Sequence, residues 1–195
     1  SRSSRGSSVK SLIQLSPDEE ISTIVTMKDY TDQQYIFMST ANGTVKKCKT
    51  TEYANAKTRG VIGIKLHDGD HLVSAMLTSG NDDAMLITRK GQALRVSEES
   101  VRPMGRASSG VTGIRLASGD EVAAAISVEQ NKDALVITEK GYGKRVGFDE
   151  FGKHGRGTGG QKIFGNIEGK GEIIGAIAVS ETDEVICMSG QGKTL

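Results

Sequence analysis

The 195-residue sequence predicts an all-β, propeller-like array of blades, each with about four short strands. A strand-turn phrase of about ten residues occurs four times, and its turn glycines are Gly43, Gly91, Gly141 and Gly192. The intervals of 48, 50 and 51 residues indicate a repeat architecture. Glycine occupies 25 positions and proline only two, as expected where many tight turns join short strands.

Each repeat carries a second phrase in phase with the first, followed by an apolar run. The phrase reads Gly-Val-x-Gly-Ile at residues 60–64 and 110–114, whereas the third repeat has Gln161-Lys162-Ile163-Phe164 there. The apolar runs lie at residues 21–27, 72–77, 122–128 and 173–179. Short apolar runs that end in Asn-Gly or Lys-Gly are typical of β-hairpins, so we predict about four strands in each repeat.

We expect one domain, or a fragment of one, over residues 1–195. The phrases divide it into approximate repeats at 1–27 (half), 28–78, 79–128, 129–179 and 180–195 (half). Two half-blades and three full blades make roughly four blades. Residues 1–8 are rich in glycine and serine, as a linker is, and only the stretch from 98 to 101 favours a helical turn.

Composition favours a cytoplasmic protein. No stretch approaches the ~20 apolar residues of a membrane span, and no charged-then-apolar leader opens the chain. The cysteines, Cys48 and Cys187, lie far apart without a Cys-x-x-Cys motif, which suits a reducing compartment and unreactive thiols.

The charges are segregated within the repeat although the net charge is only +1. Basic residues follow the turn glycines and recur some ten residues later, whereas acidic residues precede the first strand and occupy the second turn. Because stacked repeats place equivalent positions on equivalent faces, a segregated charge becomes a stripe along the array. The sequence therefore predicts a basic rim, with ordinary solvated loop charges as the alternative.

Several motifs together resemble the C-terminal domain of the DNA gyrase A subunit, over essentially the whole chain. They are residues 100–106 (Ser-Val-Arg-Pro-Met-Gly-Arg) leading into 110–116, residues 42–47 (Asn-Gly-Thr-Val-Lys-Lys) and residues 141–145 (Gly-Tyr-Gly-Lys-Arg). The resemblance implies a β-pinwheel, a propeller-like disc whose blades exchange strands. It also implies that the domain binds, bends and wraps duplex DNA on a basic perimeter during negative supercoiling.

The same resemblance implies partners for the chain. These are double-stranded DNA, the gyrase B subunit and the rest of gyrase A in an A2B2 complex, and the isolated domain is expected to be a monomer. ATP and Mg are expected on other parts of that holoenzyme, so no cofactor is expected on this chain. The strand-cleaving tyrosine of gyrase lies on the N-terminal part of gyrase A, so the tyrosines here have no catalytic role.

One family feature is missing. The heptapeptide Gln-Arg-Arg-Gly-Gly-Lys-Gly does not occur, and the nearest string is residues 154–160 (His-Gly-Arg-Gly-Thr-Gly-Gly). In the family this box lies in the first blade, which we expect to lie upstream of this chain, so truncation would explain its absence. The corresponding domain of topoisomerase IV, which lacks the box, remains an alternative. A protein-binding propeller scaffold is a separate alternative.

We predict that the basic residues of the repeats contact DNA phosphates without reading bases. The predicted contacts are Lys46, Lys47, Arg59, Arg95, Arg102, Arg106, Lys144, Arg145 and Arg156.

Two further motifs are better explained as turns of the repeat. Residues 190–194 (Gly-Gln-Gly-Lys-Thr) end like a phosphate-binding loop, but Cys187 replaces its first glycine. Residues 67–71 (His-Asp-Gly-Asp-His) resemble a metal site, yet the equivalent residues 117–121 keep the turn and lose both histidines. No catalytic constellation stands out, so we expect neither metal nor catalytic residues on this chain.

Overall fold

The computed structural model describes residues 13, 15–16, 18–56, 60–191 and 193. In that part of the chain the strands are β1 Tyr35–Thr40, β2 Thr44–Lys49, β3 Leu72–Thr78, β4 Asp83–Thr88, β5 Gln92–Ser97, β6 Val111–Thr112, β7 Val122–Val128, β8 Asp133–Thr138, β9 Gly143–Gly147, β10 Lys153–His154, β11 Gln161–Lys162 and β12 Ile173–Val179. Short 3-10 helices occupy Thr50–Tyr53, Glu98–Ser100 and Phe148–Glu150. The all-β prediction is confirmed, and the helical turn near residue 98 is a 3-10 turn.

Three sheets repeat the same arrangement. The first has the order β3-β1-β2-β6, the second places β7, β4 and β5 in that order with β10 and β11 on the free side of β5, and the third is β12-β8-β9. Each central pair is an antiparallel hairpin whose turn glycine has a positive φ: 80° at Gly43, 88° at Gly91 and 80° at Gly141. Glycine adopts this conformation without a steric cost.

The outer strand of each complete sheet comes from the following repeat. Strand β6 pairs with β2 through Val111 and Val45, and β11 pairs with β5 through Gln161 and Ala93. The exchanged strand needs glycine before it, because Gly110 has φ +94° and a Cβ there would lie 2.6 Å from the Val45 carbonyl oxygen. The exchange implied by the family resemblance is therefore present, and β11 forms although its sequence departs from the phrase.

The sheets stack face to face, so both faces of the second sheet are buried. Strand side chains alternate between faces. On one face Leu86 and Leu94 pack with Phe37 of the first sheet, and on the other Met85 packs with Val136 of the third. A side chain on either face of the hairpin strands therefore points into a junction between blades.

Two predicted strands are absent. The apolar run at residues 21–27, and residues 184–188 of the fourth strand-turn phrase, form no strand in the described chain. Ile24 and Ile186 in them are 76% and 74% exposed. The equivalent strands β3 and β7 pair with the first hairpin strands β1 and β4. No described hairpin lies beside residues 21–27, so their backbone lacks the partner that a strand requires.

No helix in the described part of the chain has the length and hydropathy needed to cross a membrane.

Candidate nucleic-acid interface

The structure divides the predicted DNA contacts into two groups, apart from Arg59, which lies outside the described residues. The first group follows the hairpin turns on the second hairpin strands and comprises Lys46, Lys47, Arg95, Lys144 and Arg145. The second group lies in the outer segments and comprises Arg102, Arg106 and Arg156. In the first group Lys46 and Lys47 are buried, Arg95 is half-buried, and Lys144 and Arg145 are exposed. In the second group Arg106 is half-buried, and Arg102 and Arg156 are exposed.

Lys46 lies inside the domain, with 0% of its surface exposed. Its ammonium group donates to the carbonyl oxygens of Gly63, at 2.8 Å, and of Arg106. Burial lowers the pKa of this ammonium below its ordinary value. Lys144, two repeats further on, donates to the Ile163 carbonyl at 2.8 Å in the same way. Between them, Leu94 occupies the equivalent position and is fully buried.

Lys47, Arg95 and Arg145 occupy one equivalent position in three repeats, and the first two join their blade to the next. The Lys47 ammonium donates to the Glu98 carbonyl at 2.9 Å, and the Arg95 guanidinium donates to the Phe148 carbonyl at 3.2 Å. Residues 98 and 148 are themselves equivalent, so the same bond between cation and carbonyl forms at two successive junctions between blades.

Each of these cations also has a partner on its own first hairpin strand. Lys47 lies 5.1 Å from the centre of the Tyr35 ring, whereas Arg95 forms an ion pair with Asp83 at 2.9 Å. Arg145 pairs with Asp133 at 2.6 Å and with Glu181 at 2.7 Å. The hydrogen bond to Glu181, and then that to Asp133, raises the pKa of Arg145.

Glu98 is a fully buried charge in these junctions. Its carboxylate accepts from the backbone N–H groups of Gly80 at 2.7 Å and Asp82 at 2.8 Å, and from the Thr78 hydroxyl at 2.8 Å. The Lys47 ammonium lies 3.9 Å away, and both side chains are nearly inaccessible. Buried charges persist when they are paired and hydrogen-bonded in this way.

An exposed rim therefore cannot include Lys46 and Lys47, and the prediction that they stand on it is wrong. They lie on strand β2, and both faces of that strand pack inside the domain. Their ammonium groups donate to carbonyl oxygens, and that of Lys47 also pairs with Glu98, so neither charge faces solvent.

A different part of the repeat forms the basic surface. We define the outer band as residues 60–66, 101–116 and 151–166. It holds seven of the 25 basic residues and none of the 24 acidic ones. Its cations are Lys65, Arg102, Arg106, Arg115, Lys153, Arg156 and Lys162, of which all but the half-buried Arg106 are exposed.

The outer band is continuous from repeat to repeat because its segments hydrogen-bond to one another. The Lys65 N–H donates to the Ser108 carbonyl at 3.0 Å, and the Arg115 N–H donates to the Thr158 carbonyl at 2.9 Å. A parallel bridge also joins Ile114 to Thr158. Basic side chains of successive repeats consequently stand on one connected strip of backbone.

Most of the charge on the band is uncompensated. Lys153 pairs with Asp83 at 2.8 Å. The other six cations have no carboxylate within 4.0 Å in the described part of the chain. Four band residues were not among the predicted contacts: Lys65, Arg115, Lys153 and Lys162. The signal that could have found them is the absence of acidic residues from these segments.

The metal-like turn has a structural role. The Asp70 carboxylate accepts from the backbone N–H groups of Asn42 at 3.0 Å and His71 at 2.9 Å. Asp120 does the same for Lys90 and Glu121, in a turn whose sequence contains no histidine. Among the described residues no group of three potential ligands is placed to hold a metal ion. The phosphate-loop-like motif includes Gly192 and Thr194, which lie outside the described residues.

These features define a class: an all-β, propeller-like repeat domain with exchanged strands and a continuous basic outer band. The family model of the DNA gyrase C-terminal domain, beta-propeller, matches residues 34–79, 82–129 and 132–180. The chain belongs to this family.

Individual proteins agree with the family model. The chain is 65% identical over 194 residues to the DNA gyrase A protein of Treponema pallidum (strain Nichols), and it spans 24% of that protein. A solved DNA gyrase A C-terminal domain matches with a TM-score of 0.86 and 33% identity, over 98% of this chain and 64% of that one. The C-terminal domain of DNA topoisomerase IV matches with a TM-score of 0.89 and 26% identity, over 97% and 60%.

Proposed function

We propose that this chain binds duplex DNA on the outer band, without sequence preference, and wraps it as part of a DNA gyrase that introduces negative supercoils. The main observation that supports this proposal is the outer band, which is continuous, basic and free of acidic residues. Duplex DNA carries one phosphate charge per ~1.7 Å of helix axis, so a strip of cations is its natural complement.

The band suits wrapping better than base recognition. Bending a 20–30 base-pair site costs of order 1–6 kcal/mol, which several phosphate contacts per blade must offset. The proposed contacts are Lys65, Arg102, Arg106, Arg115, Arg156 and Lys162, and Arg59 stays a prediction. We leave out Lys46, Lys47, Arg95, Lys144 and Arg145 because they lie on the second hairpin strands, outside the acid-free outer band. Their charged groups also bind carbonyls or carboxylates of the domain.

The remaining assignments rest on family membership. The identity to a gyrase A protein supports gyrase over topoisomerase IV. In this proposal the chain acts in the cytoplasm with the rest of gyrase A and with gyrase B. ATP and Mg act on those other parts, and this chain supplies DNA binding rather than catalytic residues.

The test measures DNA affinity against salt for a triple variant, Arg102→Gln, Arg115→Gln and Lys162→Gln. Each lost phosphate contact should reduce the slope of log K against log salt by about 0.9. The control carries the same charge change outside the band: Lys90→Gln, Lys132→Gln and Lys140→Gln. If both triple variants lose the same slope, the band has no special role and the proposal fails.

Wrapping is tested by ligating a nicked plasmid with increasing amounts of the chain and reading the linking number after protein removal. A dose-dependent shift that the band variant loses and the control keeps supports chiral wrapping. No shift with the unchanged chain, together with salt-sensitive binding, would limit its function to DNA binding.

A further inference from the structure

Arg106 and Arg156 occupy equivalent positions 50 residues apart and make the same contact between repeats. The Arg106 guanidinium donates from Nη1 to the Ile62 carbonyl at 2.8 Å. The Arg156 guanidinium donates from Nη1 to the Thr112 carbonyl at 3.4 Å, and from Nε to the Ser100 carbonyl at 3.2 Å. Since residues 62 and 112 are also 50 apart, each arginine holds the outer segment of the preceding repeat.

Each guanidinium keeps unused donors at the surface of the band. A guanidinium has five N–H groups in a fixed planar fork and no acceptor. Arg106 uses one of them on a carbonyl and Arg156 uses two. In the described chain neither arginine has a carboxylate partner, so the remaining donors and the full positive charge are free for an anion.

Building on the proposed function, we infer that Arg106 and Arg156 are positioning residues whose guanidinium holds a DNA phosphate and the carbonyl of the preceding repeat together. A phosphate forms strong, charge-assisted hydrogen bonds with the fork and fixes its orientation. The fixed guanidinium then holds the outer segment of the neighbouring repeat more firmly. DNA binding and the stiffness of the blade junction are thereby coupled, and the coupling acts in both directions.

This coupling serves the wrapping of a stiff duplex. Bent DNA pushes back on the surface that bends it. The outer segments are short, since β6 and β11 have two residues each, and few hydrogen bonds join them to the next repeat. Arg106 and Arg156 would hold the outer segments more firmly when a phosphate is bound, which strengthens the junction at the place where bent DNA strains it.

Lysine cannot replace arginine in this role. An ammonium keeps the charge but is a compact point donor without the fork that serves two acceptors. The test variant is therefore R156K, alone and with R106K. The control is R89K, because Arg89 lies outside the outer band and binds carboxylates. It pairs with Glu121 of its own repeat at 3.6 Å and with Glu172 of the next repeat at 3.0 Å.

Three quantities are measured for each variant: DNA affinity against salt, thermal stability without DNA, and amide hydrogen exchange at Arg115 and Gly157 with and without DNA. Both amides bond across the junction between the second and third repeats. DNA should slow exchange at both amides in the unchanged chain. R156K should keep the salt slope, bind DNA about tenfold more weakly and lose most of the slowing by DNA. R89K should behave like the unchanged chain in both DNA measurements.

Two results would overturn the inference. One is R156K that binds DNA with unchanged affinity and shows the usual slowing of exchange. The other is R156K whose DNA-free stability falls while the slowing by DNA remains, which would make the arginine purely structural. If the triple variant of the band also leaves the salt slope unchanged, the proposed function fails as well. If the triple variant loses slope and R156K behaves normally, only the coupling is refuted.

Discussion

The cations on the hairpin strands and the cations on the outer band are all positively charged and recur in the same repeats, but their surroundings differ. Lys47 and Arg95 lie in junctions between stacked sheets and bond to carbonyls of the next blade. Arg102 and Arg115 stand exposed on a strip without acidic residues. Position relative to the stacked faces, rather than charge, decides whether a basic residue stabilises the domain or is available to DNA.

The largest effect is expected at Glu98, in the junction between blades. Glu98→Ala leaves the N–H groups of Gly80 and Asp82 without their acceptor and Lys47 buried without its anion. Breaking a buried ion pair by removing one partner costs about 3–5 kcal/mol, and we expect a loss of that size in the free energy of unfolding. Urea denaturation measures it.

The neighbouring Glu99 provides the control, because it is exposed. Glu99→Ala should change the free energy of unfolding by less than about 0.5 kcal/mol. Equal losses in the two variants would show that the junction network around Glu98 adds no stability.

Arg95 and Arg102 allow the two groups of cations to be compared directly. Arg95→Gln removes the ion pair with Asp83 and the bond to the Phe148 carbonyl, so unfolding should become easier by about 1–3 kcal/mol. Its DNA affinity should stay unchanged. Arg102→Gln should do the reverse, weakening DNA binding with a stability change below about 0.5 kcal/mol. Denaturation and DNA titration of both variants would contradict the comparison if each variant lost both properties.

Lys46 offers a third test because the chain contains its apolar counterpart. Leu94 fills the equivalent site with no exposure, so Lys46→Leu should fold and change the free energy of unfolding by less than about 2 kcal/mol. DNA affinity and salt slope should match those of the unchanged chain. If the slope of log K against log salt fell by about one in Lys46→Leu, Lys46 would be a DNA contact after all.

The same variant carries a pH dependence. Burial lowers the pKa of Lys46 below 10.5, so between its folded pKa and 10.5 the unfolded chain binds more protons than the native one. Stability of the unchanged chain relative to Lys46→Leu should therefore rise with pH across that window. Denaturation at several alkaline pH values measures the difference, and a difference that falls with pH would exclude a desolvated ammonium.

The repeat period is enough to predict the fold, since four glycine-ended phrases some fifty residues apart leave few architectures. The rim is harder to predict. Lys46 and Lys47 follow a turn glycine, where solvent exposure is the usual expectation, but stacked blades cover both faces of β2. Strand exchange depends on which neighbour β6 and β11 pair with, and no local residue preference encodes that choice.

The outer band is visible in the sequence through a different signal. Residues 101–116 contain three arginines and no acidic residue, so the segment has no carboxylate of its own to neutralise these charges. Phased basic positions alone do not distinguish Arg95, which faces Asp83, from Arg102, which faces solvent. The local absence of acidic residues, rather than the presence of basic ones, separates the two groups.

The smallest expected effect concerns Arg145, the most exposed of the three equivalent hairpin cations. The Arg145 hydrogen bond lowers the pKa of Glu181 below its ordinary value of 4.5. The pair therefore stabilises the fold above that value, and its contribution disappears as pH falls through the folded pKa. In Arg145→Gln the pKa of Glu181 should rise toward 4.5, which carboxyl NMR titration measures. Because exposed pairs contribute little, stability near neutral pH should change far less than in Arg95→Gln. If the pKa of Glu181 did not move, Arg145 would not pair with Glu181 in solution, and its guanidinium would keep only Asp133 as a partner.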